Sequence, residues 1–195
     1  MILDLGCGLT KVDGAVGVDN TALPGVDVTH DLLDIPYPFA DASVKEIYLN
    51  HIIEHFDLLD IRRVMNEVYR LLAPEGIVHV RVPHVYTIAA AADPTHKQSF
   101  TFISGEFFDS RSAKSYYKAL DAVWKLANTS SRVTWFNWKK YRLRQVDTVL
   151  SNGMSRVLNR FLRLPDWPGA ADLVVRTIPM FFVEIQWDFV KPASE

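Results

Sequence analysis

Apolar residues open the chain as a short run, Ile2–Leu5, which is interrupted by Gly6-Cys7-Gly8 and resumes at Val16–Val18 before Asp19. That spacing predicts two strands joined by a glycine turn. A turn-rich stretch, "NTALPGVDVTHDLLDIPYPFADAS", follows, with a short strand predicted at Val26–Val28 and ending near Asp31. "VKEIYLNHI" alternates and then turns apolar, so a buried strand is expected to end near Asn50. In "LLDIRRVMNEVYRLLAPEG" the apolar residues Ile61, Val64, Met65, Val68, Leu71 and Leu72 recur at helical spacing, and Pro74 and Gly76 are expected to stop the helix. "IVHVRVPH" alternates again as a strand ending at Pro83.

Strand, strand, strand, helix, strand predicts an α/β fold, a Rossmann-like and mostly parallel sheet. Beyond it, "SGEFFDSRSAKSYYKALDAVWKLA" reads as helical, while "RVTWFNWKKYRL" and "MFFVEIQWDFVKP" read as strands. A helical insert around "TVLSNGMSRVLNRFLRL" separates those two strands, so a C-terminal antiparallel pair closes the sheet. The whole chain, 1–195, is expected to be a single domain, with 1–84 binding a cofactor and 85–195 forming an acceptor or lid half. The first crossover is unusual. It spans about ten residues, where a parallel connection ordinarily takes a dozen or more, most of them helical. Part of one sheet face should therefore be left for the C-terminal helices, or for a second subunit in a homodimer, to cover.

Composition narrows the function. The chain has 195 residues, is 49% hydrophobic and carries a formal net charge of −2, which speaks against a general nucleic-acid binder. The single cysteine excludes an internal disulfide and suits a reducing compartment. No apolar run is long enough for a membrane span, and the N-terminus lacks a signal peptide's charged and apolar regions, so a cytoplasmic protein is expected.

The glycine turn discriminates between nucleotides. In the dinucleotide fingerprint a third glycine lets a helix pack close to its strand, and the helix N-terminus receives a pyrophosphate. Here Gly6 and Gly8 are followed by Lys11, and "LTKVDGAVG" is too short and glycine-rich for a phosphate-binding helix. A nicotinamide oxidoreductase is disfavoured on this ground. A ligand with ribose and adenine but no phosphate needs no such helix, and S-adenosylmethionine is that ligand. Gly6 and Gly8 would admit its amino-acid and ribose portions, and Asp19 would accept from the two ribose hydroxyls.

With these residues in place, the chain resembles the class I S-adenosylmethionine-dependent methyltransferases, and among them small members associated with sugar or polysaccharide modification. The likeness runs through "LDLGCG", "GVD", "DLLDIPYPFADASVKEIYLNHIIEHF" and "EVYRLLAPEGIVHVRVPH", and more loosely through "DPTHKQSFT" and the last strand. The resemblance implies that Asp4, Gly6 and Gly8 form the first cofactor motif and Asp19 the ribose acid. Cys7, a small filler between the glycines, and Asn20, beside the acid, fall in the same contact set. Asp31 and Leu32 would lie beside adenine, and Asn50 and His51 on the methionine side. Lys45 departs from the family, standing where many relatives carry an acid, and a helix usual before the first strand is absent.

The histidines raise two alternatives. H-x-x-E-H, here His51, Glu54 and His55, is also an inverted zinc-protease motif. It straddles a strand end, however, and no glutamate occurs between Glu106 and Glu184 to complete the ligand set, so no metal is expected. For methyl transfer to a hydroxyl a base is needed, and His51 is the best-placed catalytic residue, with Glu54 and His55 one turn on. His84, ending the last parallel strand, and His96, in the loop after it, are expected acceptor contacts. Tyr116, Tyr117, Trp124, Trp135, Trp138 and Tyr141 read chiefly as core. Arg156, Arg160 and Arg163 lie on a basic amphipathic segment suited to weak peripheral contact with anionic lipid, or to covering a site or dimer partner. The function expected is methyl transfer, toward oxygen, on a small-molecule or glycan acceptor. The alternative is a catalytically inactive S-adenosylmethionine-binding protein acting within an assembly.

Overall fold

A computed structural model describes residues 1–114, 121–135 and 181–193. Its seven strands are β1 (Ile2–Leu5), β2 (Val16–Asp19), β3 (Val28–Thr29), β4 (Val44–Asn50), β5 (Leu72–Pro83), β6 (Lys125–Trp135) and β7 (Phe181–Val190). They form one sheet in the order β3-β2-β1-β4-β5-β7-β6. The pairs from β3 to β5 are parallel, whereas β7 runs antiparallel to both of its neighbours. The mostly parallel sheet with an antiparallel C-terminal pair is thus as expected.

The main helix, α1 (Leu58–Leu71), begins where the Asp57 carboxylate accepts the Asp60 amide at 3.0 Å, capping one of the first turn's free N–H groups. It buries Ile61, Val64, Met65, Val68 and Leu71 against the sheet. Each such side chain contributes roughly 1.5–3 kcal/mol of transfer free energy. The helix stops earlier than Pro74 and Gly76 suggested: Leu72 is already extended and starts β5. The Leu72 side chain is still fully buried, which explains why it fitted the helical stripe.

The first crossover contains no helix. Gly6 and Cys7 donate to the Val18 carbonyl at 2.7 and 3.2 Å, turning the chain straight back toward β2. The turn is held by Asp4, whose carboxylate accepts the Val12 amide at 2.8 Å. The stem of Lys11 and the Cys7 sulfur lie over Gly17, where any Cβ would fall 2.7–2.8 Å from them. Lys11 then reaches Asp27 at 2.7 Å, and Asp27 also accepts the Gly17 amide at 2.7 Å. One lysine stem and one sulfur therefore stand where a crossover helix would pack, and glycine in β2 leaves them the room.

The segment after β5 departs most from expectation. A short helix α2 (Ile88–Ala92) and a 3-10 turn over Phe102–Phe107 precede β6. The helix expected over Ser104–Ala127 is not continuous: Lys125-Leu126-Ala127 already belong to β6, which begins seven residues before the expected "RVTWFNWKKYRL". Pairing with β7, Lys125 opposite Val190 through Trp135 opposite Phe181, overrides local helical preference. Trp124 is fully buried, edge-on to Tyr69 with ring centres 5.1 Å apart, and so belongs to the core as expected. The insert "TVLSNGMSRVLNRFLRL" with Arg156, Arg160 and Arg163, and Tyr116, Tyr117, Trp138 and Tyr141, lie outside the described residues, as does the side chain of Trp135. Among the described residues no helix is long and apolar enough to cross a membrane.

Candidate functional site

The carboxyl ends of the parallel strands share one edge of the sheet, where ligands of open α/β folds bind. β1 delivers Asp4 and the glycine turn there, β2 delivers Asp19, β4 delivers Asn50 and His51, and β5 delivers His84.

The two glycines differ. Gly6 has φ +72° and faces Ile52, whose Cδ1 would lie 2.0 Å from an added Cβ. Gly8 has φ +53°, and no described atom lies within 4 Å of the Cβ position. Gly6 is consequently closed against the protein, while Gly8 presents open backbone. Asp19 stands beside that opening: one oxygen accepts the Gly8 amide at 2.9 Å and the other accepts the Thr21 amide at 3.0 Å. Each carboxylate oxygen keeps a further lone pair. Asp4 is buried beneath the turn, and burial pushes its carboxyl above the ordinary range against the pull of the Val12 amide, Asn50 and Arg81. Cys7 is buried, and burial together with Asp4 and Asp19 raises its thiol, so it is an inert filler.

Other expected cofactor residues are less alike in their surroundings. Asn20 is exposed and accepts from the Thr21 hydroxyl at 2.9 Å. Asp31 closes a turn by accepting the Leu33 amide at 2.9 Å, and the Leu32 side chain is buried in the core.

His51 follows β4 in a left-handed conformation, φ +56°, uncommon for a side-chain-bearing residue and frequent at functional sites. Its amide donates to the Arg81 carbonyl at 2.9 Å, so β5 holds it there. Its Nε2 lies 3.1 Å from Glu184 Oε1 and its Nδ1 lies 3.3 Å from Glu54 Oε1. Burial alone would lower this imidazolium, but the two carboxylates outweigh it and raise the group to about 9. The Glu184 carboxylate only accepts, so Nε2 donates to it, while Nδ1 faces Glu54 as an ion-pair neighbour. Glu184 comes from β7, 133 residues away in sequence, and no local pattern pointed to it.

His55 and Glu54 form a 3-10 turn, Ile53–His55, and not a regular helix, so His51 and His55 do not share a helical face as an inverted zinc-protease site requires. The loop carrying His96 is laced onto this turn, with the Lys97 and Gln98 amides donating to the Glu54 carbonyl at 2.8 and 3.0 Å. The His55 and His96 rings meet edge-on with centres 4.8 Å apart. His84, in contrast, is fully buried, packed against Tyr86 and Phe102, with its Nδ1 accepting the Tyr86 amide at 3.3 Å. The structure therefore gathers His51, Glu54, His55, His96 and Glu184, and sets His84 beneath them.

The strand order and the glycine turn define the fold of class I methyltransferases. Residues 3–80 match the family described as a methyltransferase domain. Similar solved structures include a putative methyltransferase from Bacillus halodurans, 14% identical with a TM-score of 0.58, covering 98% of this chain and 92% of that one. A SAM-dependent methyltransferase from Archaeoglobus fulgidus is 16% identical with a TM-score of 0.55, covering 97% of this chain and 85% of that one. Another, from Methanosarcina mazei, is 12% identical with a TM-score of 0.52, covering 99% and 92%. No curated protein matches the chain. The resemblance drawn from the N-terminal motifs is thus borne out in fold, and solved structures of that fold are described as SAM-dependent methyltransferases; an association with sugars is not shown.

Proposed function

We propose that the protein is an S-adenosylmethionine-dependent methyltransferase acting on a hydroxyl of a small-molecule or glycan acceptor, in a reducing cytoplasm. The observation that carries this reading is the opening over Gly8 beside Asp19. The residues fit the cofactor: a backbone free of Cβ lies next to a carboxylate with lone pairs to spare, at the edge shared by β1, β2 and β4. Gly8 would receive the amino-acid and ribose portion, Asp19 the ribose hydroxyls with Asn20 beside it, and Asp31 with the Leu32 backbone the adenine. Asp4 acts beneath the turn, holding its shape. Gly6 and Cys7 shape the turn that presents the Gly8 backbone, and Asn50 lies beside Asp4 at the same edge. When bound, the cofactor supplies a methyl group already electrophilic on a sulfonium.

The chain's own task is then to align the acceptor and receive its proton. His51 donates to Glu184 and has the Glu54 charge beside its other nitrogen, so the role assigned to it is positioning: it holds Glu184 at the carboxyl edge as the group that takes the hydroxyl proton. Glu54 and His55 build the turn behind it, and His96 supports that turn from the following loop. Residues 1–84 hold the cofactor and 85–195 supply acceptor specificity within one domain.

Calorimetry with S-adenosylmethionine, its demethylated product and NADH tests the reading. The first two are expected to bind and NADH is not. For Asp19→Ala we expect cofactor affinity to fall more than about tenfold, since paired hydroxyl contacts are lost. Unchanged affinity would remove the ribose assignment, and binding of NADH alone would remove the function.

A further inference from the structure

The Glu54 carboxylate is completely buried, yet among the described residues neither oxygen receives a well-aligned hydrogen bond. Oε1 has the His51 ring 3.3 Å away. Oε2 has no such neighbour, and an uncompensated buried oxygen is costly. One donor atom each from Glu54, His55 and His96 lies within 4.8 Å of the other two.

Hydrogen bonding around the two histidines decides which nitrogen each leaves available. His96 Nδ1 lies 3.0 Å from the Ala90 carbonyl, which only accepts, so Nδ1 carries the proton. His55 Nδ1 lies 2.9 Å from the Thr95 hydroxyl. That hydroxyl spends its own proton on Asp93 Oδ1, 2.6 Å away, and must therefore accept from His55. In the neutral form of each ring the lone pair is consequently on Nε2. Metal-binding histidines are oriented in this way, the remote N–H fixed by a carbonyl or by a relay to a carboxylate. Here one relay has each form. The backbone bonds from Lys97 and Gln98 to Glu54 hold both halves of the cluster together. Asp93 Oδ2, 3.9 Å from His96 Nε2, adds a negative charge beside it.

From this arrangement we infer that Glu54 Oε2, His55 Nε2 and His96 Nε2 form a binding site for a first-row divalent cation, with Zn2+ as the reference ion. Two imidazoles and one carboxylate are a donor set for such ions and leave coordination positions open. At metal–ligand distances of about 2.0–2.2 Å, tetrahedral donors stand roughly 3.3 Å apart, so the cluster draws together on binding. His55 is only partly buried and has room for that adjustment. Glu54 would then bridge, one oxygen toward His51 and the other toward the ion. The site differs from an inverted zinc-protease centre, because His51 is not a ligand and the turn is not helical.

The test is calorimetric titration of the tag-free full chain with ZnCl2, and separately with CoCl2 while recording visible absorption. One saturable site with a micromolar or lower dissociation constant is expected, with d–d bands from bound Co2+. Thr95→Val keeps all three ligands but removes the hydroxyl that fixes His55, and should weaken Zn2+ by about 10-fold or more. His55→Ala and His96→Ala should each weaken it by more than that. S-adenosylmethionine titrated into the same variants reports the cofactor site separately, so failure of one reading is distinguishable from failure of the other. Where an alanine variant does not fold, His96→Gln and Thr95→Val carry the comparison. Absence of a saturable event in the parent chain overturns the inference, as does a Zn2+ affinity that is the same in the folded variants.

Discussion

Placing alanine at Gly6 and at Gly8 in turn should separate folding from cofactor binding within one three-residue turn. At Gly6 the added methyl meets Ile52 Cδ1 at 2.0 Å and Cγ1 at 2.7 Å, and the backbone is held at φ +72°. Left-handed backbone costs an alanine about 1–2 kcal/mol, and overpacking adds about 1–3 kcal/mol. The sum, about 2–5 kcal/mol, should lower the melting temperature on the order of 10 °C for a chain of this length. At Gly8 the conformational cost applies at φ +53°, but the methyl meets no described atom within 4 Å. Stability should fall by only about 1–2 kcal/mol, while S-adenosylmethionine affinity falls about tenfold or more, the new methyl occupying its approach. Thermal and urea unfolding give the first quantity and calorimetry the second. Adding Ile52→Ala to Gly6→Ala removes the obstructing carbons, so the double variant should be less destabilised than the sum by about 1–3 kcal/mol. Equal losses of stability at the two glycines, or full cofactor affinity in Gly8→Ala, would refute the division of roles.

Two further expectations concern charges in the sheet and helix. Asp188 accepts from His79 at 2.7 Å, Gln186 at 2.8 Å and Asn128 at 2.9 Å. Burial alone would raise this carboxyl, but those bonds bring it down from 3.8 to about 2. Its contribution, about 2 kcal/mol, is complete above pH 4 and disappears as pH falls through 2; Asp188→Asn should flatten the acid limb of a stability–pH curve, and an identical limb would contradict this. Glu67, nearly buried on α1, accepts the Tyr37 amide at 2.6 Å and pairs with Arg70 at 2.6 Å. Glu67→Ala leaves the Tyr37 amide without its acceptor, while Arg70 keeps Asp41 and the Phe39 and Tyr37 carbonyls, so a loss of about 1–3 kcal/mol is expected from the urea midpoint; a shift below the error of the fit would show that the pair is dispensable.

The N-terminal half was legible because its signals are local. Strand runs, the glycine pair and the stripe on α1 each lie within a dozen residues of one another. Asp19 and Gly8 could be matched because both end or follow predicted strands at the same sheet edge. The helix end was misplaced because Leu72 continues the apolar spacing while its backbone has already become extended. "KALDAVWKLA" favours helix by propensity, yet its last three residues belong to β6, where Lys125 and Leu126 pair with β7, a partner more than fifty residues away. Distance in sequence also hid Glu184, and it hid the meeting of His96 with Glu54. The H-x-x-E-H spacing suggests one helical face, and none forms there: Glu54, His55 and His96 converge through a 3-10 turn and a second loop.

Because β7 sits between β5 and β6, the edge around His51 is assembled from segments 133 residues apart. A chain emerging from the ribosome exposes the glycine turn and β1–β5 first, and acquires Glu184 only after some hundred further residues have been made. The proposed cofactor crevice can therefore take shape before Glu184 exists, and the edge around His51 is completed only once β7 has been made.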